Sequence, residues 1–366
     1  MRILTISKSK NLISIVGTRP QFIKAAVVSK LIREDFNQDL KEKIIHTGQH
    51  YDKNMSANFF KELQIPKPDY NLGIGSGEHG YQTGRMLIEI EKKLSKERTD
   101  VVLVYGDTNS TLAGALGAVK LHIPVAHIEA GLRSFNKKMP EEINRVLTDH
   151  ISSLLFCPTK TAVENLKKEG ITKGVYQSGD VMWDSLIHYK DKIKNSKILL
   201  KLNLKLKKYY LVTIHRANTV DNWENLKNIL DSLERVNQQV IFPLHPRTKK
   251  MIKNNHYSIS NSKINFIKPV GYIDALALQK NALAVLTDSG GVQKEAYFFK
   301  VPCITLREET EWIETVKSGW NAIVGIDKEK INRTLNNLSR KNTSHPNFYG
   351  DGRAGERITQ ILKKVI

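Results

Sequence analysis

The sequence predicts an α/β protein built from two doubly wound, parallel-sheet domains. Three observations predict it. The chain has 366 residues, too many for one ordinary core. Apolar strand-like runs alternate with helical patterns from end to end, the order that parallel sheets with crossover helices require. The alternation restarts after a weakly patterned, Lys-rich stretch near 187–208 (HYKDKIKNSKILLKLNLKLKK), the best linker candidate.

MRILTI looks like a strand but stands before SKSKN, so it reads as an extension ahead of the true first strand. ISIVG (13–17) is that first strand. It turns through Thr18, Arg19 and Pro20 into a helix, with Pro20 suited to a first helical position. KIIHTG, VVLVYGD (101–107), VAHIEAG (125–131) and LLFCP follow as strands, separated by the small-residue helix STLAGALGAVKL and the helix MPEEINRVLTDHIS. The second half reads YYLVTIHR, VIFPLHP, NFIKPV, LAVLTDSGG, VPCITL and NAIVGI as strands. It ends on an amphipathic helix, AGERITQILKKVI, that suits packing back on the first domain. The expected division is 1–186, 187–352 and a returning helix at 353–366.

Composition excludes several classes. Apolar residues make up 40% and charged residues 26%, which is globular. No apolar run approaches the ~20 residues of a membrane span, and the start is too weakly apolar for a secretory signal. Cys157 and Cys303 each sit in a short apolar run, so a disulfide framework is not expected and a cytoplasmic location is. The formal charge of +20 is spread over scattered lysines, with no zinc finger, RNP-type strand or basic zipper. It reads as solvated faces, with no nucleic-acid partner.

In doubly wound sheets ligands bind outside the carboxyl ends of the strands, so those ends carry the candidate chemistry. Asp107 and Glu129 end neighbouring predicted strands. Glu141 and Glu142 open a helix, and the i, i+4 spacing sets Glu141 and Arg145 on one face. In TDSGGVQKEA, Ser289, Gly290 and Gly291 lead a strand into a helix. Missing Cβ atoms there let backbone N–H groups approach a phosphate, and Glu295 lies about a turn further on, within reach of a ribose. Arg19 and Lys24 flank the first turn as phosphate or sugar partners. His215 ends the first strand of the second half, and His245 carries the same ambiguity. No HExxH or paired-Cys spacing points to a metal, and no GxGxxG follows the first strand to hold a nicotinamide. No cofactor is expected.

Taken together, the strings GTRPQFIK, HTGQHYD, YGDTNSTLAGALGA, HIEAGLRS, MPEEINR, VTIHR, LTDSGGVQKEA and TEWIE resemble the non-hydrolysing UDP-N-acetylglucosamine 2-epimerase family over nearly the whole chain. The resemblance implies a GT-B fold, two Rossmann-like domains facing a central cleft. It also implies C2 epimerisation without metal or nicotinamide, by elimination and re-addition of UDP through a 2-acetamidoglucal. It marks Asp107, Glu129, Glu141 and His215 as catalytic. Arg19, Lys24, Gln49, Gln82, Arg145, Tyr272, Ser289, Gly290, Gly291, Glu295 and Trp312 are the expected substrate contacts. Gln49, Gln82, Arg216 and His245 match positions around a second, activating UDP-sugar in bacterial members. A homodimer is expected, with no membrane partner. Two departures stand out: Gln21 where the family's usual string is GTRPE, and Trp312 where TERPE has arginine. Both resemble the subgroup acting on UDP-2,3-diacetamido-2,3-dideoxyglucuronate, which stands as the alternative to the plain N-acetylglucosamine substrate. A GT-B glycosyltransferase, a hydrolysing epimerase and a charge-driven nucleic-acid binder are the other rivals.

Overall fold

The structure, a computed structural model, describes residues 9–49, 62–338 and 344–366. MRILTI and the last three residues of HTGQHYD lie outside the described residues. The chain divides into two compact units, Met1–His188 with Asn347–Ile366, and Tyr189–Pro346.

The first unit carries strands β1 (Lys10–Val16), β2 (Leu40–His46), β3 (Tyr70–Asn71), β4 (Val101–Tyr105), β5 (Val125–Ile128), β6 (Leu154–Cys157) and β7 (Val175–Gln177). They pair in parallel in the order β3-β2-β1-β4-β5-β6-β7. All five residues of β4 are buried, as expected of a parallel strand covered by helices on both faces. Ile13, Ile15, Val102 and Val104 meet Met86 and Ile90 of helix His79–Leu94 and Ala113, Ala115 and Ala118 of helix Asn109–Lys120 in one core. The strand order reverses between β1 and β4. The residues just past those two strands therefore stand at the switch point, where doubly wound sheets open a crevice.

The second unit repeats the plan. Strands β8 (Tyr209–Thr213), β9 (Gln239–Pro243), β10 (Ile264–Ile267), β11 (Ala284–Thr287), β12 (Cys303–Thr305) and β13 (Asn321–Ile323) pair in parallel in the order β10-β9-β8-β11-β12-β13. Its switch point lies between β8 and β11. Val212, Ile229, Leu233, Phe242, Leu286 and Ile304 belong to its core.

Two readings of the sequence need adjustment. The stretch near 187–208 is not an open linker: it forms the short helices Lys190–Lys194 and Ile198–Lys201, packed on helix Tyr272–Asn281 with Ile193 and Ile198 buried. β3 and β7 went unread, because two or three residues at a sheet edge show no period. Both cysteines are buried, on β6 and β12, and burial raises both thiols. Among the described residues, no helix is long and apolar enough to cross a membrane.

The last helix, Ala354–Val365, packs within the first unit on helices Arg19–Glu34 and Val181–His188. Ile358 and Leu362, one turn apart, face that contact and are buried. Its first turn is met by Asp184, whose carboxylate accepts from the Gly355 N–H at 2.7 Å. Burial, with Asp180 and Asp351 nearby, holds Asp184 up at about 6 despite this bond. A carboxyl raised in the folded state favours folding fully only below its unfolded value, near 3.8. That contribution is lost as pH rises through about 6. Asp184→Asn is therefore expected to raise stability at pH 7.5 by about 1–2 kcal/mol. It should also flatten the pH dependence between about 4 and 6. Urea denaturation at both ends of that range checks this, and a loss of stability at pH 7.5 would contradict it.

Candidate active site

In the first unit the charges gather past β4 and β5. Asp107 follows β4 by two residues and is partly exposed. Its carboxylate is paired with the Arg145 guanidinium, which also donates to Glu142 at 2.8 Å. Arg145 and Glu142 are buried, so neither charge is tolerable without the other. Glu142 also accepts from the N–H groups of Ser134 and Phe135 and from the Ser134 hydroxyl, all at 2.9 Å. The expected companion of Arg145 on its helix was Glu141. The ion pair is made by Glu142, three residues back, while Glu141 opens helix Pro140–Ile151 partly exposed. Asn144 fixes the backbone beneath, donating to the Asp107 carbonyl at 3.0 Å.

Glu129 follows β5 directly and pairs with Lys24, both largely buried. Glu129 has φ +78°, a left-handed conformation that costs a non-glycine residue about 1–2 kcal/mol. Gly106 sits beneath the pair with φ +63°. A Cβ there would lie 2.9 Å from Lys24 Nζ and 3.3 Å from Glu129 Oε2, so only glycine leaves the pair its room. Lys24, Glu129, Gly106 and Asp107 thus form one neighbourhood at the sheet's switch point.

Arg19 opens its helix partly exposed at the same switch point. Gln21 is buried and uses both ends of its amide. Its oxygen accepts from the N–H groups of Gly17 and Thr18 at 2.8 and 3.1 Å, and its nitrogen donates to the Tyr105 carbonyl at 2.9 Å. A carboxylate could not make that last bond, so the glutamine ties the ends of β1 and β4 as an acid would not. Gln49 accepts from the backbone and hydroxyl of Ser110 at 3.1 and 2.7 Å. Gln82 donates to the Gly75 carbonyl at 2.7 Å and accepts from Asn109 at 2.9 Å. In this structure both glutamines brace the start of helix Asn109–Lys120.

In the second unit, Asp288 is fully buried past β11. It accepts from the backbone N–H of His215 at 3.1 Å and of Arg216 at 2.9 Å, which fixes the chain leaving β8. The exposed His215 ring stands 3.4 Å from Asp288 and 5.9 Å, centre to centre, from the His245 ring. Burial and the neighbouring His215 and Arg247 lower His245. Ser289 precedes helix Gly290–Phe298 and makes no side-chain cap on it. The first N–H groups of that helix are therefore not satisfied by its own cap, the feature that suits an anion.

Glu295 is buried, accepting from Tyr272 Oη at 2.9 Å and Gln279 Nε2 at 2.7 Å. Trp312 is only 3% exposed, with Lys294 Nζ 4.2 Å from its ring centre. Glu311 is held by Arg307 at 3.1 Å. Sequence reasoning missed the Asp288, Lys294 and Arg307 contacts, which join residues remote in sequence or facing inward. Among the described residues, no group of three or more His, Cys, Asp or Glu side chains could hold a metal ion.

A family model described as UDP-N-acetylglucosamine 2-epimerase matches residues 34–363. A Methanococcus maripaludis protein named UDP-N-acetylglucosamine 2-epimerase homolog is 55% identical over 362 residues, 97% of this chain and 99% of the relative. A Pseudomonas aeruginosa UDP-2,3-diacetamido-2,3-dideoxy-D-glucuronate 2-epimerase is 48% identical over 361 residues, again 97% and 99%. The crystal structure of Methanocaldococcus jannaschii UDP-GlcNAc 2-epimerase in complex with UDP-GlcNAc and UDP is similar with a TM-score of 0.91 at 49% identity, covering 97% of this chain and 99% of that one.

The two glycines differ in what a methyl group would meet. At Gly290 a Cβ would lie 2.2 Å from Glu311 Oε1, an atom of a side chain held by Arg307; at Gly291 nothing lies within 4 Å. Gly290→Ala is expected to destabilise by about 1–3 kcal/mol and Gly291→Ala by less than about 0.5 kcal/mol. Chemical denaturation of both variants checks this, and equal costs would contradict the packing described.

Proposed function

The chain belongs to the UDP-N-acetylglucosamine 2-epimerase family, and on that premise we propose that it interconverts UDP-N-acetylglucosamine and UDP-N-acetylmannosamine without hydrolysing either. The fold is GT-B-like, two α/β units each on a parallel sheet. The observation that carries the reading is the set of acids past β4 and β5. Asp107 and Glu129 stand at adjacent strand ends, each paired with a base, and Glu141 opens the next helix.

The chemistry needs such a set. A proton leaves C2 as the C1–O bond breaks, UDP departs with the bonding electrons, and a double bond forms between C1 and C2. Inversion requires a proton to return to the opposite face of C2 as UDP re-adds at C1. Groups that take and give a proton on two sides of the ring are therefore needed, and several carboxylates supply them. Lys24 and Arg145 pair with Glu129 and Asp107, setting a cation against each of these two carboxylates. The departing diphosphate needs fixed positive charge and N–H donors. Support for that role lies in the uncapped N–H groups at Gly290 and Gly291, with His215 held nearby through Asp288. Tyr272 and Glu295 form a buried hydroxyl and carboxylate pair suited to a ribose.

A second substrate, UDP-2,3-diacetamido-2,3-dideoxyglucuronate, is favoured by one specific feature. Trp312 stands in TEWIE where the commoner string has arginine, and the Pseudomonas aeruginosa relative named for that sugar is 48% identical. The buried indole beneath Lys294 offers no guanidinium fork to a sugar hydroxyl. The discriminating experiment offers each UDP-sugar separately and follows the anomeric protons by NMR. The proposal expects UDP-N-acetylmannosamine from UDP-N-acetylglucosamine, with kcat/KM at least about tenfold above that for the diacetamido sugar. The reverse ratio would transfer the assignment, and free N-acetylmannosamine would reject the non-hydrolysing reading.

Two sets of variants extend the test. Asp107→Asn, Glu129→Gln and Glu141→Gln are each expected to lower kcat about a hundredfold or more in folded protein. A variant within a few-fold of wild type loses its assignment. Gly291→Ala places a methyl in open space at the helix start and is expected to weaken UDP binding at least about tenfold in calorimetry. Unchanged affinity would remove the diphosphate from that helix.

A further inference from the structure

Asp149 lies in the last turn of helix Pro140–Ile151, almost entirely shielded from solvent. Its carboxylate reaches three groups. Oδ1 accepts from His127 Nδ1 at 2.7 Å. Oδ2 accepts from the Gly131 backbone N–H at 3.1 Å and from Arg133 Nη1 at 2.6 Å. Arg133 is held in turn by both oxygens of Glu169 at 2.7 Å. Burial by itself opposes a charge on Asp149, yet His127 and Arg133 outweigh it and keep the carboxyl below its ordinary range.

The partners fall on either side of Glu129. His127 stands two residues before it and Gly131 two residues after. Glu129 is left-handed, a conformation that persists only when the surroundings over-determine it. The N–H groups of Glu129 and Ala130 both donate to the Phe156 carbonyl at 3.1 Å, and Asp149 closes the turn from its two ends.

His127 carries the constraint further. Its Nε2 lies 2.7 Å from the Gly106 carbonyl oxygen, which can only accept, so this nitrogen donates. Nδ1 faces the Asp149 carboxylate at 2.7 Å, so the ring bridges the two oxygens. The ring is fully buried and joins Asp149 to the residue immediately before Asp107. One carboxylate thus reaches the backbone at both strand ends.

We propose that Asp149, acting through Gly131 and His127, is a positioning residue that sets the backbone at Glu129 and Asp107 for proton transfer at C2. The proposal rests on the reading of those two carboxylates as proton-handling groups. Proton transfer is sensitive to placement, and an error of about 1 Å costs on the order of a hundredfold in rate.

The test measures kcat, KM and UDP affinity for Asp149→Asn, with kcat taken per UDP-binding molecule. A brace for folding alone would lower the number of competent molecules and leave their kcat unchanged. The proposal expects kcat about 10- to 100-fold lower, with KM and UDP affinity within about twofold of wild type. His127→Gln, whose two N–H donors sit on a single nitrogen where the imidazole has two separate ones, is expected to lose a similar factor and carries the test if Asp149→Asn does not fold. The double variant should fall little beyond the worse single one, because both act through one network. A kcat within about threefold of wild type in folded Asp149→Asn or His127→Gln, or independent losses that multiply, overturns the proposal. A wild-type protein inactive on both UDP-sugars overturns the functional reading, and the role of Asp149 with it.

Discussion

Charge taken out of water at the carboxyl ends of β4 and β5 must be neutralised in place, and the first unit is arranged around that need. Arg145 cannot stay buried without Glu142 and Asp107, and Lys24 and Glu129 constrain each other in the same way. Asp149 stays ionised between His127 and Arg133, and Arg133 leans on Glu169. These pairs do not add much net stability over a well-packed apolar core. What they fix is geometry, since a buried pair that loses a partner is far costlier than one that never formed.

The sheet topology makes this concentration of charge possible. The strand order reverses beside β1 in the first unit and beside β8 in the second, so the connections diverge there and leave the strand ends uncovered. Side chains that would clash or go unsatisfied within a layer of helices find room at those ends. Gly106 keeps that room in the first unit and Gly290 in the second, each by lacking the carbon that would strike a charged side chain. The two units use the same architecture for different ends. One gathers paired acids and bases, and the other presents the N–H groups of a helix.

Much of this was legible in the sequence. Strand and helix runs alternate, and Asp107 and Glu129 announce themselves as acids at strand ends. Ser289 to Gly291 read as a strand running into a helix. The contacts were less legible, for physical reasons. Glu141 and Glu142 are adjacent in a first helical turn, and both i, i+3 and i, i+4 spacings can reach Arg145, so spacing alone could not choose Glu142. Asp149 sits in TDHIS as an ordinary helix residue, and only the packing of its helix on the sheet brings it to His127 and Gly131. Gln21 read only as a departure pointing to the diacetamido-glucuronate subgroup. Its value lies in an N–H donated to Tyr105, far along the chain.

In the proposed function the strand-end carboxylates move the C2 proton of a UDP-sugar while UDP leaves and returns. Incubation of the protein with UDP-N-acetylglucosamine in deuterated water tests it most directly. Each epimer is expected to gain a single deuterium at C2, in step with interconversion. Epimers that interconvert with the original C2 proton retained would contradict it.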